Sequence, residues 1–523
     1  MSSQTLLVQE IGTLSDLVRA YGVERPDAVA LVHGERRLSY GELDRLIDRV
    51  AAALQRDGVR PGDTVAIAAA ASLEYVASFL GALRAGAAAA PLAPSSSPAS
   101  LRAMLADCGA KMLFADAEVA GAWDGDPPVL RVALEEASFV AWLAAPDAKP
   151  KPVAVAPDAP FNIIYSSGTT GVPKGIVQSH RMRWSHVSRG AAFGYGPDTV
   201  TLISTPLYSN TTLVSLLPTL AGGGTAVLME KFDAAKFLAL AERHRVTHAM
   251  LVPVQYKRLM EHPDFERYDL ASFRMKFSTS APFAAALKAD VLKRWPGGLI
   301  EYYGLTEGGG TCALIAHEFP QKLHTVGRPL DGHEVRVIDE EGRELPQGQT
   351  GEAVGRSPAM MNGYHNQPSK TAEMEWHDPR GNLFLRTGDI GRFDEDGFFT
   401  LVHRKKDMII SGGFNVYPSD LEAVLVRHDA VAEAAVVGVA SERWGETPVA
   451  FVVLKPDAAV AGEALRTWAN ECVGKTQRLA DLRIVASLPR SPIGKVLKRE
   501  LREQYGVSAP TPHISRAGSP LPE

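Results

Sequence analysis

The 523-residue chain has few cysteines, little net charge and no long apolar run, and each shortage removes a class of function. Cys108, Cys312 and Cys472 are far apart, odd in number and without metal-ligand spacing. That argues against a disulfide framework and a thiolate metal site, and fits reduced thiols in the core of a cytosolic protein. With 55 basic and 60 acidic residues the formal net charge is −5, and no basic stripe stands out, so nucleic acid is not the expected partner. The most apolar stretch, VAIAAAASLEYVASFLGALRAGAAAAPLAP, contains Glu74 and Arg84 within the span a membrane helix needs. It reads as a buried strand followed by a helix, so no membrane span is expected. The N-terminus, MSSQTLLVQEIGTLSDLVRAYG, lacks a cationic region ahead of an apolar run, which predicts no signal peptide and a cytoplasmic location. No internal repeat is present.

Apolar residues make up 46% of the chain, and its length exceeds that of one ordinary core, so several lobes are expected. In LSYGELDRLIDRVAAAL, Ser39 and Glu42 have capping-box spacing, and Leu43, Leu46, Ile47, Val50 and Leu54 share one helical face. Short apolar runs alternate with helical patterns, as in TAVLME, DAAKFLALAERHR and THAMLVP, which predicts stacked α/β subdomains over the first ~320 residues. From about 325, alternating runs separated by Asp-Gly and Glu-Gly turns predict a small antiparallel β subdomain. A compact set of helices and strands follows HRKKD, and the Pro-, Ser- and Gly-rich tail GVSAPTPHISRAGSPLPE is expected to be disordered.

One loop raises a chemical question. FNIIY reads as a buried strand and KGIVQ as its partner or continuation, so Ser166 to Lys174 form a tight loop between them. Gly168, Gly171 and Gly175 let backbone N–H groups converge. The hydroxyls of Ser166, Ser167, Thr169 and Thr170 add donors, and Lys174 adds a charge. A hairpin turn would explain the glycines but not this density of hydroxyls beside a lysine, and the loop suits phosphate oxygens. It is not the usual P-loop, because Lys174 follows proline and precedes glycine.

SSGTTGVPKG resembles the signature loop of the adenylate-forming superfamily, which includes acyl-CoA synthetases, luciferases and adenylation domains of nonribosomal peptide synthesis. YYGLTEGG, RTGDIG, RKKDMIISGGFNVYPSDLE, WGE and PRSPIGK follow in the family's order, so the resemblance covers nearly the full length. It implies an α/β fold: a large N-terminal lobe of two stacked α/β subdomains plus a small β-barrel-like subdomain, and a small mobile α+β C-terminal lobe. The corresponding divisions are 1–403, a hinge at 404–406, 407–505 and the tail 506–523. The implied reaction has two halves: a carboxylate attacks the α-phosphate of ATP to give an acyl-adenylate and pyrophosphate, then the thiol of coenzyme A attacks the acyl carbon and releases AMP. Because anion meets anion in the first half, Mg²⁺ and positive side chains must neutralise charge.

By the same resemblance, Lys174, Thr306, Glu307 and Lys495 are the catalytic residues, with Glu307 on Mg²⁺. Tyr303, with Gly304 beside it, would lie against adenine, and Ser280, Ala281 and Pro282 would line that pocket. Asp389 would accept the ribose hydroxyls, a task suited to the paired oxygens of a carboxylate, and Arg404 would add a contact. Lys406 occupies the hinge position, and Ser411, Gly412 and Gly413 the coenzyme A channel. The context of Lys495 also resembles the sequence that bacterial lysine acetyltransferases recognise, which makes such an enzyme a candidate partner.

Where many relatives carry Phe-His-x-x-Gly, this chain has PLYSNTTLVS: Ser209 stands at the position of the gate histidine and Thr212 at that of the glycine. Tyr208, Ser209, Asn210, Thr212, Thr279 and Gly308 are the expected acyl-pocket residues. Their polarity suggests a small, branched or hydroxylated acid, unless some of these groups point away from the pocket. Competing readings are an enzyme that loads a carrier-protein thiol, a luciferase-like monooxygenase and an inactive nucleotide-binding protein. The presence of Lys174, Glu307, Asp389, Arg404 and Lys495 together favours turnover.

Overall fold

Ser39 accepts a hydrogen bond from the Glu42 amide and Glu42 accepts one from the Ser39 amide, which closes the capping box ahead of the helix Tyr40–Arg56. Leu43, Ile47, Val50 and Leu54 on this helix are fully buried, at roughly 2 kcal/mol of burial each, and Leu46 packs at the margin of the same cluster. The computed structural model describes residues 1–123, 129–166, 174–411, 414–441, 444–491 and 494–508. They divide into a larger unit of residues 1–401 and a smaller one that begins at Val402.

Two mixed sheets dominate the larger unit. The first runs in the order Gly363–Tyr364, Lys174–Ser179, Pro160–Ser166, Ala88–Pro91, Thr64–Ala68, Ala110–Ala115 and Leu130–Ala133. Its last five strands are parallel and its first pairings antiparallel. The second has nine strands, with parallel Met275–Ser278, His248–Leu251, Val200–Ile203 and Thr225–Leu228 at its centre. Next to these lie Gly298–Leu305, parallel to Met275–Ser278, and its antiparallel partner Gly308–Ile315. The change of texture near residue 325 marks a third sheet, in which Glu334–Ile338, Gly351–Arg356, Leu383–Phe393 and Glu375–His377 pair antiparallel.

In the smaller unit Phe414–Val416, Ile409–Ser411, Gly445–Leu454 and Val431–Ser441 form an antiparallel sheet, with Asp481–Ile484 parallel to the third of these. Its core includes Leu421 from the helix Pro418–Val426 and Leu465 from Gly462–Glu471. Cys108 and Cys312 are buried as expected, but Cys472 is exposed. Cys472 caps the C-terminus of Gly462–Glu471, where the chain leaves the core. No helix among the described residues is long and apolar enough to cross a membrane.

Candidate active site

KGIVQ is the antiparallel partner of FNIIY: Tyr165 pairs with Gly175 and Ser166 with Lys174. Lys174 therefore stands where the chain returns to the sheet. Ser167, Gly168, Thr169, Thr170 and Gly171 lie outside the described residues, and Ser166 is described only as the last residue of its strand. Gly175 is confined: a Cβ there would come within 3.0 Å of the Ile163 side chain and 3.2 Å of that of His365. The Lys174 ammonium lies 5.0 Å from the centre of the Tyr364 ring, a favourable approach of a cation to an aromatic face.

The strands Gly298–Leu305 and Gly308–Ile315 pair up to Leu305 and Gly308, so Thr306 and Glu307 are the two residues of a tight hairpin turn. Gly308 has φ +83°, and a Cβ on it would reach 1.8 Å from the Ala359 carbonyl oxygen, so only glycine fits. Its open side is therefore occupied by the Ala359–Met360 backbone. The Glu307 carbonyl accepts from the Met361 amide at 2.8 Å, and its carboxylate Oε1 accepts from the Tyr364 hydroxyl at 2.7 Å. The Thr306 carbonyl accepts from Gln178 Nε2 at 2.6 Å. Tyr364 thus has a cation at its face and an anion at its hydroxyl. Burial, and then the Glu307 charge, raise that hydroxyl far above the ordinary phenol range.

This carboxylate suits Mg²⁺ on chemical grounds. Its other oxygen, Oε2, makes no hydrogen bond among the described residues, and no cluster of three metal-binding side chains occurs among them. Mg²⁺ keeps several waters and is commonly held by one or two carboxylates together with substrate phosphates. A lone, well-anchored Glu is consistent with that habit.

Neighbouring tyrosines on one strand face opposite ways, because strand side chains alternate. Tyr303 donates from its hydroxyl to Asp389 Oδ2 at 3.0 Å and packs on Phe399, ring centres 5.5 Å apart. Asp389 is buried, and its amide donates to Thr387 Oγ1 at 3.0 Å. Burial, and then the Asp389 charge, raise the Tyr303 hydroxyl well above its usual range. Gly304 is exposed beside Thr311.

Among the expected acyl-pocket residues, polarity is unequally available. Ser209 caps the helix Asn210–Ala221, its hydroxyl accepting from the Thr211 amide at 3.3 Å. Thr212 is wholly buried, with its hydroxyl 2.7 Å from that of Thr205 and 2.6 Å from the Pro206 carbonyl. The Thr212 hydroxyl is thus engaged within the protein. Asn210 and Thr279 are half-buried, and burial moves the half-buried Tyr208 hydroxyl up to about 12. Asn210 Oδ1 accepts from Arg183 Nη1 at 2.9 Å, which turns the amide so that its N–H₂ end faces away from the guanidinium. Thr211 joins this helix to the segment after the strand Met275–Ser278 through a 2.6 Å bond with Ser280, which has φ +79°, a strained conformation for serine. Ala281 is half-buried and Pro282 exposed.

In the smaller unit, Lys495 is exposed in a turn closed by Ser491, whose amide donates to the Lys495 carbonyl at 2.8 Å and whose hydroxyl accepts from the Lys495 amide at 3.1 Å. Arg404 ends a strand, and Lys406 lies in the following 3₁₀ turn, Lys405–Asp407. Ser411 ends the strand Ile409–Ser411, whereas Gly412 and Gly413 lie outside the described residues.

Tyr364, Gln178 and Arg183 were not among the sequence candidates. Tyr364 has a local signal in GYHNQP, where Gly-Tyr precedes Asn and Pro. Gln178 and Arg183 have none, because polar residues in an apolar strand and helix gain meaning only from what they meet.

Residues 18–365 match the AMP-binding enzyme family, and 420–495 match the AMP-binding enzyme C-terminal domain. The chain is 34% identical to a fatty acid–[acyl-carrier-protein] ligase, ScoC, of Streptomyces coeruleorubidus, over 95% of this chain and 97% of that protein. It is also 34% identical to 4-coumarate–CoA ligase 5 of Oryza sativa subsp. japonica, over 95% of each. Its fold is similar to that of ATP-bound MatB from Rhodopseudomonas palustris, with a TM-score of 0.84 and 29% identity, over 94% of this chain and 99% of that one.

Proposed function

The chain belongs to the AMP-binding enzyme family, as an AMP-forming acid–CoA ligase that uses ATP, Mg²⁺ and coenzyme A, and from that premise we propose that its acid is small and polar. The Lys174, Tyr364 and Glu307 arrangement carries the reading of the reacting end. Lys174 meets the phosphates as a point charge, Glu307 offers an oxygen to Mg²⁺, and Tyr364 holds both in register. Mg²⁺, when bound, neutralises phosphate charge.

Tyr303 and Asp389 form the nucleoside side, with Ser280, Ala281 and Pro282. Asn210 on one side and the strand beginning at Gly308 on the other wall the acyl site, together with Tyr208 and Thr279. The amide N–H₂ of Asn210 is the donor that an acid with a polar group would satisfy, and a long alkyl chain would leave it unpaired.

In the first half-reaction a carboxylate oxygen of the acid bonds to the α-phosphorus and pyrophosphate leaves, with Lys495 stabilising the carboxylate and the phosphate. In the second, coenzyme A enters by the channel assigned to Ser411, Gly412 and Gly413, its thiol sulfur bonds to the acyl carbon as the thiol proton is lost, and AMP leaves. A turn about Lys406 would exchange the two arrangements, so Lys406→Pro should slow thioester formation far more than adenylation. Lys495→Gln, which mimics acetylation, should abolish adenylation while sparing thioester formation from supplied acyl-adenylate.

The decisive assay supplies ATP, Mg²⁺ and a panel of carboxylic acids, with and without coenzyme A, and reads pyrophosphate, AMP and thioester by mass spectrometry. Thioester from small or hydroxylated acids is expected. Preference for long-chain acids would overturn the small-acid reading, and pyrophosphate without thioester would point to a carrier-protein thiol.

A further inference from the structure

The helix His180–Ser188 and the residue after it carry Arg183, His186 and Arg189 at intervals of three, which places them along one side of the helix. Arg183 is buried, and its three side-chain hydrogen bonds go to neutral amide oxygens of Asn162, Gln178 and Asn210. Burial lowers its guanidinium to about 9. Arg189 donates to the Ser185 carbonyl at 2.9 Å and faces His333 Nε2 at 2.6 Å. His186 Nδ1 is buried and makes no hydrogen bond, and Arg183, Arg189 and His333 all lie within its electrostatic reach. No carboxylate among the described residues pairs with any of these four groups. Cations gathered in a low-dielectric region without a counter-charge are costly.

The contact between Arg189 and His333 makes the deficit specific. His333 Nδ1 accepts from the Thr311 amide at 3.0 Å, so a neutral ring carries its proton on Nε2. Burial lowers this imidazole to about 4, so it is neutral near pH 7. Its Nε2–H and the Arg189 N–H therefore confront each other as two donors. An oxygen that accepts from both removes the conflict, and an anionic oxygen also supplies the missing charge.

This donor pair adjoins the acyl walls proposed above. Thr311, which fixes the His333 tautomer, follows Gly308–Gly310 on their strand, and Arg183 fixes the Asn210 amide. Tyr302 interacts electrostatically with Arg189 and stacks on Phe277, which stacks on Tyr195, with ring centres 5.8 and 5.9 Å apart. An aromatic slab thus lies beside the basic stripe.

We infer that the acid activated here bears a second anionic group, a distal carboxylate, received by Arg189 and His333. The inference rests on the small-acid reading of the acyl site and makes it narrower. The reacting carboxylate goes to the Lys174 and Glu307 end, the carbon chain lies along the aromatic slab, and the second carboxylate accepts hydrogen bonds from the donor pair.

The test compares α,ω-dicarboxylates of three to eight carbons with monocarboxylates of equal length, by pyrophosphate release with ATP and Mg²⁺. In the wild type a dicarboxylate should have the higher kcat/KM. In Arg189→Met the ratio of dicarboxylate to monocarboxylate kcat/KM should fall by about 30-fold, the size of one charged hydrogen bond, and Arg189→Lys should restore part of it. Independently of any variant, dicarboxylates should raise the thermal midpoint of the wild type more than monocarboxylates do. Preference for monocarboxylates at every length, or a ratio that Arg189→Met leaves unmoved, overturns the inference while the small-acid reading stands. Turnover confined to acids longer than eight carbons overturns both.

Discussion

Tyr302 and Tyr303 are adjacent in the chain and belong to different chemistries. Tyr303 faces a buried carboxylate, Asp389, in a region where each strong charge has a local answer: the Tyr303 hydroxyl for Asp389, the Tyr364 hydroxyl for Glu307. Tyr302 faces an aromatic slab and a group of arginines and histidines that lack a carboxylate among the described residues. On the first face each carboxylate keeps a hydroxyl donor from the protein, whereas the cations of the second call for charge from a ligand. A single strand can serve both because alternate side chains project to opposite faces.

The largest expected effect tests the first face. Glu307→Gln keeps the shape and removes the charge, and kcat should fall by about 10² to 10³ for every acid, as when a preorganised electrostatic partner is lost. Measuring pyrophosphate release with two acids of different size checks this, because a loss confined to one acid would place Glu307 on the acyl side. Tyr302→Ala removes the ring of the slab nearest the basic stripe and should shift acid selectivity toward bulkier substrates by roughly 10- to 100-fold. If ATP's KM moved by the larger factor instead, the two faces would not be separate.

Tyr303→Phe should be milder and act on stability. It takes a hydrogen bond from the buried Asp389 carboxylate and should cost about 1–3 kcal/mol in urea unfolding; a loss below a few tenths would show that Asp389 does not depend on that hydroxyl. The smallest effect is a pH dependence of stability, carried by buried histidines in several parts of the chain, His333 of the second face among them. Burial lowers His180, His248 and His333 to about 4, from the ordinary 6.5. As pH falls, the unfolded chain takes up these protons first, so stability is complete above about 6.5 and declines between there and about 4. Urea midpoints from pH 7.5 to 5 should fall steadily, and a flat profile would mean that these imidazoles are charged in the folded state.

Much of the first face is legible in the linear order. Lys174 between Pro173 and Gly175, the YGLTE turn and the Arg-Thr-Gly preceding Asp389 are short segments whose residue types suggest a chemistry, and turn geometry acts over a few residues. The capping box at Ser39 and the buried run from 64 to 84 are legible for the same reason: periodicity and caps are local. Among the expected acyl residues, Thr212 shows where a local reading stops. Its hydroxyl bonds to Thr205 and Pro206, and no reading of PLYSNTTLVS could tell whether that group faces a ligand or its own helix.

The second face was invisible for a related reason. Arg183, Arg189 and His333 are unremarkable in their segments, since an arginine on a helix is most often solvated. They matter because the fold brings Asn162, Gln178 and Asn210 around one guanidinium, and Thr311 and Arg189 onto the two nitrogens of one imidazole. Chain order was enough for many of the elements and, through the motifs that carry the family resemblance, for the reaction class, because caps, periodicity and motif residues depend on spacing within a turn or strand. Which cations are left uncompensated depends on burial and on partners from up to 144 residues away, and only packing sets those.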